Sequence, residues 1–221
     1  MPFDFRLAHQ TGTLFRLCLQ MMLTAMLASF AMSAHSASKT IMVLGDSLSA
    51  EYGLERGRGW VGLLQKRLQT EHIQASVVNA SISGETTSGG RARLQPLLDR
   101  HHPDIVIIEL GANDALRGLP LAATRDNLRT MISNAQKAGA RVLLIGMQIP
   151  PNYGAQYTRQ FAALYPEVAK ESKSALVPFM LAGVVEHADL FQADRIHPTA
   201  EAHPIILKNI WPELKRLLTA R

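Results

Sequence analysis

Cysteine is almost missing from this chain: of 221 residues one is a cysteine, Cys18. A lone thiol excludes an intrachain disulfide framework and a thiolate metal site. Aromatic residues are sparse at 6%, and no run of Lys and Arg interleaves with them. Basic residues occur singly or in short pairs such as Arg91/Arg93 and Lys215/Arg216. A scattered positive charge of this kind is a solvated surface, and nucleic acid is excluded as a partner. There is no Gly-x-x-x-x-Gly-Lys phosphate loop, no internal repeat and no low-complexity tract.

One long hydrophobic run is present, and it stands at the N terminus. Arg6 and Arg16 precede an uncharged stretch from Leu17 to Ala34, and small residues follow at Ala34, Ser36 and Ala37. This order reads as a secretory signal peptide over residues 1–37, cleaved near Ser36, with a retained membrane anchor as the competing reading. Cys18 follows Phe15-Arg16-Leu17, without the small residue that precedes a lipidated cysteine. Removal of the segment takes two basic residues and one acidic residue from totals of 23 and 18, so the net charge falls from +5 to +4. The mature chain, residues 38–221, has no thiol, suits a periplasmic or secreted location, and is long enough for one domain with a full core.

The first element of that domain sets the plan. Ile41-Met42-Val43-Leu44 is apolar throughout, as a parallel strand covered on both faces must be, and it ends at Gly45-Asp46-Ser47. The same pattern of strand and polar crown recurs at Ser76–Ala80, Ile105–Leu110 and Val142–Met147, and Leu176–Phe179 is a short fifth strand. Between them, apolar residues at helical spacing (Trp60, Leu64, Leu68; then Leu128, Met131, Ile132, Ala135) mark packed helices, and a further helix is expected from about Ser88 to Arg100. Phe161, Leu164, Tyr165 and Val168 mark another, with Pro166 expected to interrupt it. Pro198 is expected to open the terminal helical region, and Pro204 and Pro212 to break or kink it. Five strands alternating with helices require an α/β fold with a parallel sheet, right-handed crossovers and helices on both faces.

Ligands bind such sheets beyond the carboxyl ends of the strands, which is where Ser47 falls. It is a candidate nucleophile, the alternative being that Asp46 or Ser47 caps the following helix. A serine hydroxyl needs a base, and His197 in Asp194-Arg195-Ile196-His197 has a carboxylate three residues away that can hold its Nδ1 proton. The competing reading of Asp194 is a helix cap. Acyl transfer also needs donors for an oxyanion, and Gly84, Asn113 and the Ser47 N–H each follow a strand at this edge. The bland readings are a turn glycine at Gly84 and a self-bonded loop residue at Asn113.

Four blocks now stand in order: Gly45-Asp46-Ser47-Leu48-Ser49, Gly84, Gly111-Ala112-Asn113-Asp114 and Asp194-Arg195-Ile196-His197. Together they resemble the SGNH (GDSL) hydrolases from about residue 40 to the C terminus. Asn79–Gly84, Glu109–Gly118 and Pro151–Gly154 resemble the branch of that family holding bacterial periplasmic thioesterases, lysophospholipases and arylesterases. The resemblance implies a flavodoxin-like three-layer α/β/α sandwich with a five-stranded parallel sheet. It implies a Ser47–His197–Asp194 triad, an oxyanion hole of Ser47, Gly84 and Asn113, and no metal or organic cofactor. Two departures stand out: Glu51 with Glu55-Arg56-Gly57-Arg58 alters the loop beside the nucleophile, and Trp211-Pro212 interrupts the last helix.

The function expected on these grounds is a secreted serine esterase acting on acyl esters and thioesters through an acyl-serine intermediate. Its substrate would be a small acyl ester or a lysophospholipid, and the enzyme a monomer in transient contact with a membrane surface. Leu116, Leu119, Ile149, Pro150 and Tyr153 are candidates to line an acyl groove, or are ordinary loop anchors. The alternatives are a short-chain carbohydrate O-deacetylase on the same machinery and a non-enzymatic flavodoxin-like nucleotide-binding module.

Overall fold

A computed structural model describes residues 38–220. The signal-peptide assignment to residues 1–37 lies outside them. The elements are β1 (Lys39–Gly45), α1 (Trp60–Thr70), β2 (Ala75–Asn79), α2 (Thr87–His101), β3 (Ile105–Glu109), α3 (Ala112–Leu116) and α4 (Leu121–Lys137). β4 (Arg141–Ile145), α5 (Ala155–Ser172), β5 (Ala175–Val177) and α6 (His203–Thr219) complete them. All strand pairs are parallel and their order is β2-β1-β3-β4-β5.

That order follows from the right-handedness of each crossover. The chain moves from β1 to β2 on one side, then returns past β1 to β3 on the other, so α1 and α2 fall on opposite faces, and the onward steps to β4 and β5 keep α4 and α5 on the face of α2. α1 and α6 pack together on one face, and α2, α4 and α5 on the other, giving the three-layer sandwich. The reversal of direction lies between β1 and β3, and the loops leaving those two strands diverge there to leave a crevice.

β1, β3 and β4 are buried along nearly their whole length, and the core between the layers is filled by residues such as Leu44, Ile107, Leu144, Trp60, Leu94, Phe161 and Ile210. Three prolines stand inside helices, Pro96 in α2, Pro166 in α5 and Pro212 in α6. The expected interruptions at Pro166 and Pro212 do not occur. Each of these prolines faces solvent, where water can take the carbonyl that loses its partner, while buried residues on both sides hold the helix to the core. Pro204 sits in the first turn of α6, where a missing N–H costs nothing. Pro198 does not open that helix; it pairs with Phe191 in an isolated antiparallel bridge, and α6 begins at His203. The polar crown after β3, expected as a loop, contains the short helix α3.

Candidate active site

Gly45 ends β1 with no room for a side chain: a Cβ there would stand 2.8 Å from Ser49 Cβ and Oγ and 2.9 Å from Glu109 Oε2. Beyond it the chain turns tightly on Asp46. The Asp46 carbonyl accepts from Ser49 N (3.2 Å) and Ala50 N (2.9 Å), and its Oδ1 accepts from Leu48 N (3.0 Å). Asp46 thus caps its own turn, and Ser47 is left at the crest, partly exposed. The nearest helix downstream starts only at Trp60, so Ser47 does not serve as a helix cap.

His197 reaches Ser47 from the loop after β5. Its Nε2 lies 2.9 Å from Ser47 Oγ, and its Nδ1 lies 2.7 Å from Asp194 Oδ2. Asp194 Oδ1 accepts from Ile196 N (2.9 Å) and His197 N (3.0 Å), so the carboxylate is anchored to the loop whose histidine it orients. These bonds, first that from the His197 backbone, then Ile196, then the imidazole, hold the Asp194 carboxyl down at about 2. Asp194 is therefore an anion at neutral pH. An anion beside Nδ1 keeps the proton on that nitrogen and leaves Nε2 to accept the Ser47 hydroxyl proton. The Tyr52 ring lies 4.3 Å from the imidazole, tilted by 36°, on the side of the nucleophile loop.

Of the three donors named from the sequence, Ser47 and Asn113 line one cleft, and Gly84 precedes Glu85, whose carbonyl accepts from Asn113. Neither the Ser47 nor the Gly84 backbone N–H has an acceptor among the described residues. Gly84 has φ +77°, a region glycine enters freely, and its carbonyl is held by Arg117 Nη2 at 2.9 Å. Asn113, in the first turn of α3, donates from Nδ2 to Asp46 Oδ2 and to the Glu85 carbonyl, both at 3.0 Å. These two bonds fix the amide between the β1 and β2 loops, so it is neither a free turn residue nor self-bonded. An oxyanion arriving there must share one of its hydrogens.

Beneath the nucleophile turn lies a polar chain that the sequence reading did not single out. Trp60 Nε1 donates to Ser49 Oγ (3.2 Å), Ser49 Oγ donates to Glu109 Oε2 (2.7 Å), and Asp46 N donates to the same oxygen (3.3 Å). Glu109 is 2% exposed, and burial first, then the neighbouring Asp46 charge, drives its carboxyl well above the ordinary range. Asp46, 1% exposed, is raised to about 6 by its own burial. Two buried carboxyls in contact cannot both ionise at low cost, so the pair favours holding a proton, with the stronger upward push on Glu109. The one sequence signal for this chain was a lone glutamate at the end of an otherwise apolar buried strand. Asp114 is a second unmarked tether: it accepts from Thr87 N (2.8 Å) and Thr87 Oγ1 (2.5 Å), joining α2 to α3 next to Asn113. His203 is a packing residue; its Nδ1 accepts from Trp60 N at 2.9 Å, and burial lowers its pKa to about 4.

Ser47, Asn113 and His197 line a cleft of about 630 Å³. Its walls are largely apolar and include Leu116, Ile149 and Pro150 from the sequence-based set, together with Met147, Phe179, Leu181 and Val185. Leu119 and Tyr153 are not part of this lining and lie exposed on neighbouring loops. Among the described residues no cluster of His, Cys, Asp and Glu is arranged to hold a metal ion, and no helix is long and apolar enough to cross a membrane.

The chain is similar to known hydrolases along most of its length. The esterase TesA of Pseudomonas aeruginosa is 49% identical over 198 residues, 90% of this chain and 98% of that one. Thioesterase 1/protease 1/lysophospholipase L1 of Escherichia coli is 40% identical over 183 residues, 83% of this chain and 86% of that one. The crystal structure of TesA superposes with a TM-score of 0.79 at 51% identity, covering 81% of this chain and 99% of that one. Residues 43–205 match the GDSL-like Lipase/Acylhydrolase family, a span that holds all four blocks read from the sequence. The chain belongs to that family and is a hydrolase.

Proposed function

We propose that the protein is a serine esterase that hydrolyses acyl esters and thioesters through an acyl-Ser47 intermediate. The observation that carries this reading is the continuous run from Ser47 Oγ to His197 Nε2 (2.9 Å) and from Nδ1 to Asp194 (2.7 Å) at the mouth of an apolar cleft. The names of its relatives, an esterase and a thioesterase 1/protease 1/lysophospholipase L1, agree with both bond types.

In the first half-reaction Ser47 Oγ attacks the acyl carbon as its proton passes to His197 Nε2. The carbonyl oxygen becomes an anion facing the N–H groups of Ser47 and Gly84 and the Asn113 amide. Each such donor contributes on the order of 3 kcal/mol to lowering the barrier. Collapse of the tetrahedral species breaks the carbon–oxygen or carbon–sulfur bond, and the imidazolium returns its proton to the departing alcohol or thiol. Water then repeats the sequence with His197 as base, releasing the carboxylic acid and restoring Ser47. Asp194 stabilises the imidazolium at both stages without taking its proton. Residues 38–221 form the single catalytic domain, acting as a monomer, and residues 1–37 direct export to the periplasm or beyond and are then removed. The substrate is a small acyl ester or lysophospholipid, the latter met at a membrane surface.

The test is hydrolysis of p-nitrophenyl esters from acetyl to palmitoyl, with Ser47→Ala alongside. The expected result is turnover of medium and long chains that Ser47→Ala loses while its thermal melt stays cooperative. Activity confined to the acetyl ester supports a deacetylase instead, and full activity in Ser47→Ala overturns the proposal.

A further inference from the structure

Arg195 stands between the two triad members of its loop, and its backbone is in an unusual state. Its φ is +58°, a left-handed conformation that glycine takes freely and a branched or long side chain takes at a cost. The loop around it is tied down: Arg195 N donates to Gln192 O (2.9 Å), Gln192 N to His197 O (2.7 Å), and Asp194 accepts from Ile196 and His197. The strained residue is therefore held in place, and strain kept at a site wall points to a use for the side chain.

Arg195 is exposed and is part of the lining of the catalytic cleft. Apart from the triad histidine it is the one cationic group in the lining; the other charged group there is Asp46, buried at the base and bonded to Leu48 and Asn113. The guanidinium makes no hydrogen bond or ion pair among the described residues; the same holds for Arg56, Arg100 and Arg159, but of these four only Arg195 lines the cleft. The rest of the wall, from Leu116 through Ile149 to Phe179 and Leu181, is apolar and suits a hydrocarbon chain. For a substrate whose acyl part is a hydrocarbon chain, an anion attracted to this cleft belongs to the alcohol or thiol side.

We propose that Arg195 determines specificity by selecting acyl esters and thioesters whose leaving group carries a phosphate. The planar guanidinium fork pairs with two phosphate oxygens at once, which a point charge does not. The phosphate has two chemical sources, the glycerophosphate of a lysophospholipid and the phosphates of an acyl-coenzyme A. The inference rests on the esterase reading above, since it concerns substrates of the same serine.

The experiment compares the purified enzyme with Arg195→Gln, Arg195→Lys and Arg195→Gly on 1-decanoyl-glycerol 3-phosphate, decanoyl-coenzyme A and the neutral 1-decanoylglycerol. The readout is the ratio of kcat/KM for each phosphate substrate to that for the neutral ester. The expected result is a fall of about tenfold in that ratio for Arg195→Gln and Arg195→Gly, carried by KM, with Arg195→Lys recovering part of it. Raising the salt should lower the ratio in the wild type and leave it flat in Arg195→Gln. A loss on one phosphate substrate alone supports the proposal and names the source. A ratio unchanged within twofold on both overturns it while the esterase reading stands. Failure of the wild type to cleave any of the three overturns both.

Discussion

Replacing Glu109 separates two views of the buried chain under the nucleophile. If the carboxyl is protonated at pH 7, as its burial against Asp46 favours, Glu109→Gln keeps the shape, an oxygen to accept from Ser49 and Asp46 N, and a donor to face Asp46. Such a swap should cost less than about 1 kcal/mol. Glu109→Ala strands the Ser49 hydroxyl and the Asp46 N–H in a site only 1% exposed, each worth about 1–3 kcal/mol, and a cavity adds on the order of 2 kcal/mol. The sum, roughly 4–8 kcal/mol, approaches the whole stability of a typical domain. Urea unfolding at pH 7 of the wild type and both variants measures the two costs. A Glu109→Gln penalty as large as that of Glu109→Ala means that the carboxylate is ionised, and it refutes the proton assignment.

Four further outcomes follow from the same contacts. Asp46 has its carboxyl raised from 3.8 to about 6, so the folded state holds a proton that the unfolded chain has released between those values. The stability of the wild type relative to Asp46→Asn should therefore be greatest below about pH 4 and fall by roughly 3 kcal/mol as the pH rises to 7; a difference flat in pH contradicts the shift. Asp194→Asn presents Nδ1 with an amide in place of an anion, and kcat at pH 8 should drop roughly 10³- to 10⁴-fold with KM little changed. Asn113→Ala removes one of the proposed oxyanion donors and should lower kcat about 10²- to 10³-fold in steady-state assays. Gly45→Ala drives a methyl group into Ser49 and Glu109 and should cost about 2 kcal/mol or more by thermal melt, with loss of turnover as Ser47 shifts.

Most of the fold was legible because each buried strand announces itself. Ile41–Leu44, Ile105–Ile108 and Val142–Met147 are apolar on both faces, and only a helix-covered parallel sheet accepts such runs. Prolines misled: Pro166 and Pro212 carry a strong local bias against helix, yet tertiary burial of Leu164, Tyr165, Ile210 and Trp211 outweighs it. The positions of Ser47, Gly84, Asn113, Asp194 and His197 at one edge were legible because each follows a strand or a short loop motif. Cleft walls were harder. Leu119 and Tyr153 sit near Leu116 and Pro150 in sequence, but α3 and the short 3-10 turn at Pro151–Tyr153 turn them away, which loop composition does not reveal. Glu109, Ser49 and Trp60 come from three segments, so their contact is tertiary and has no local pattern.

The most direct measurement on the central claim is the site of covalent attachment of an ethyl p-nitrophenyl phosphonate, mapped by peptide mass spectrometry in the wild type and in His197→Ala. Ser47 as nucleophile predicts one phosphonyl group on the Ser47 peptide, release of one equivalent of p-nitrophenol, complete loss of esterase activity, and labelling slowed by orders of magnitude in His197→Ala. An active-site adduct on any other residue, or inhibition without an adduct on Ser47, contradicts the account.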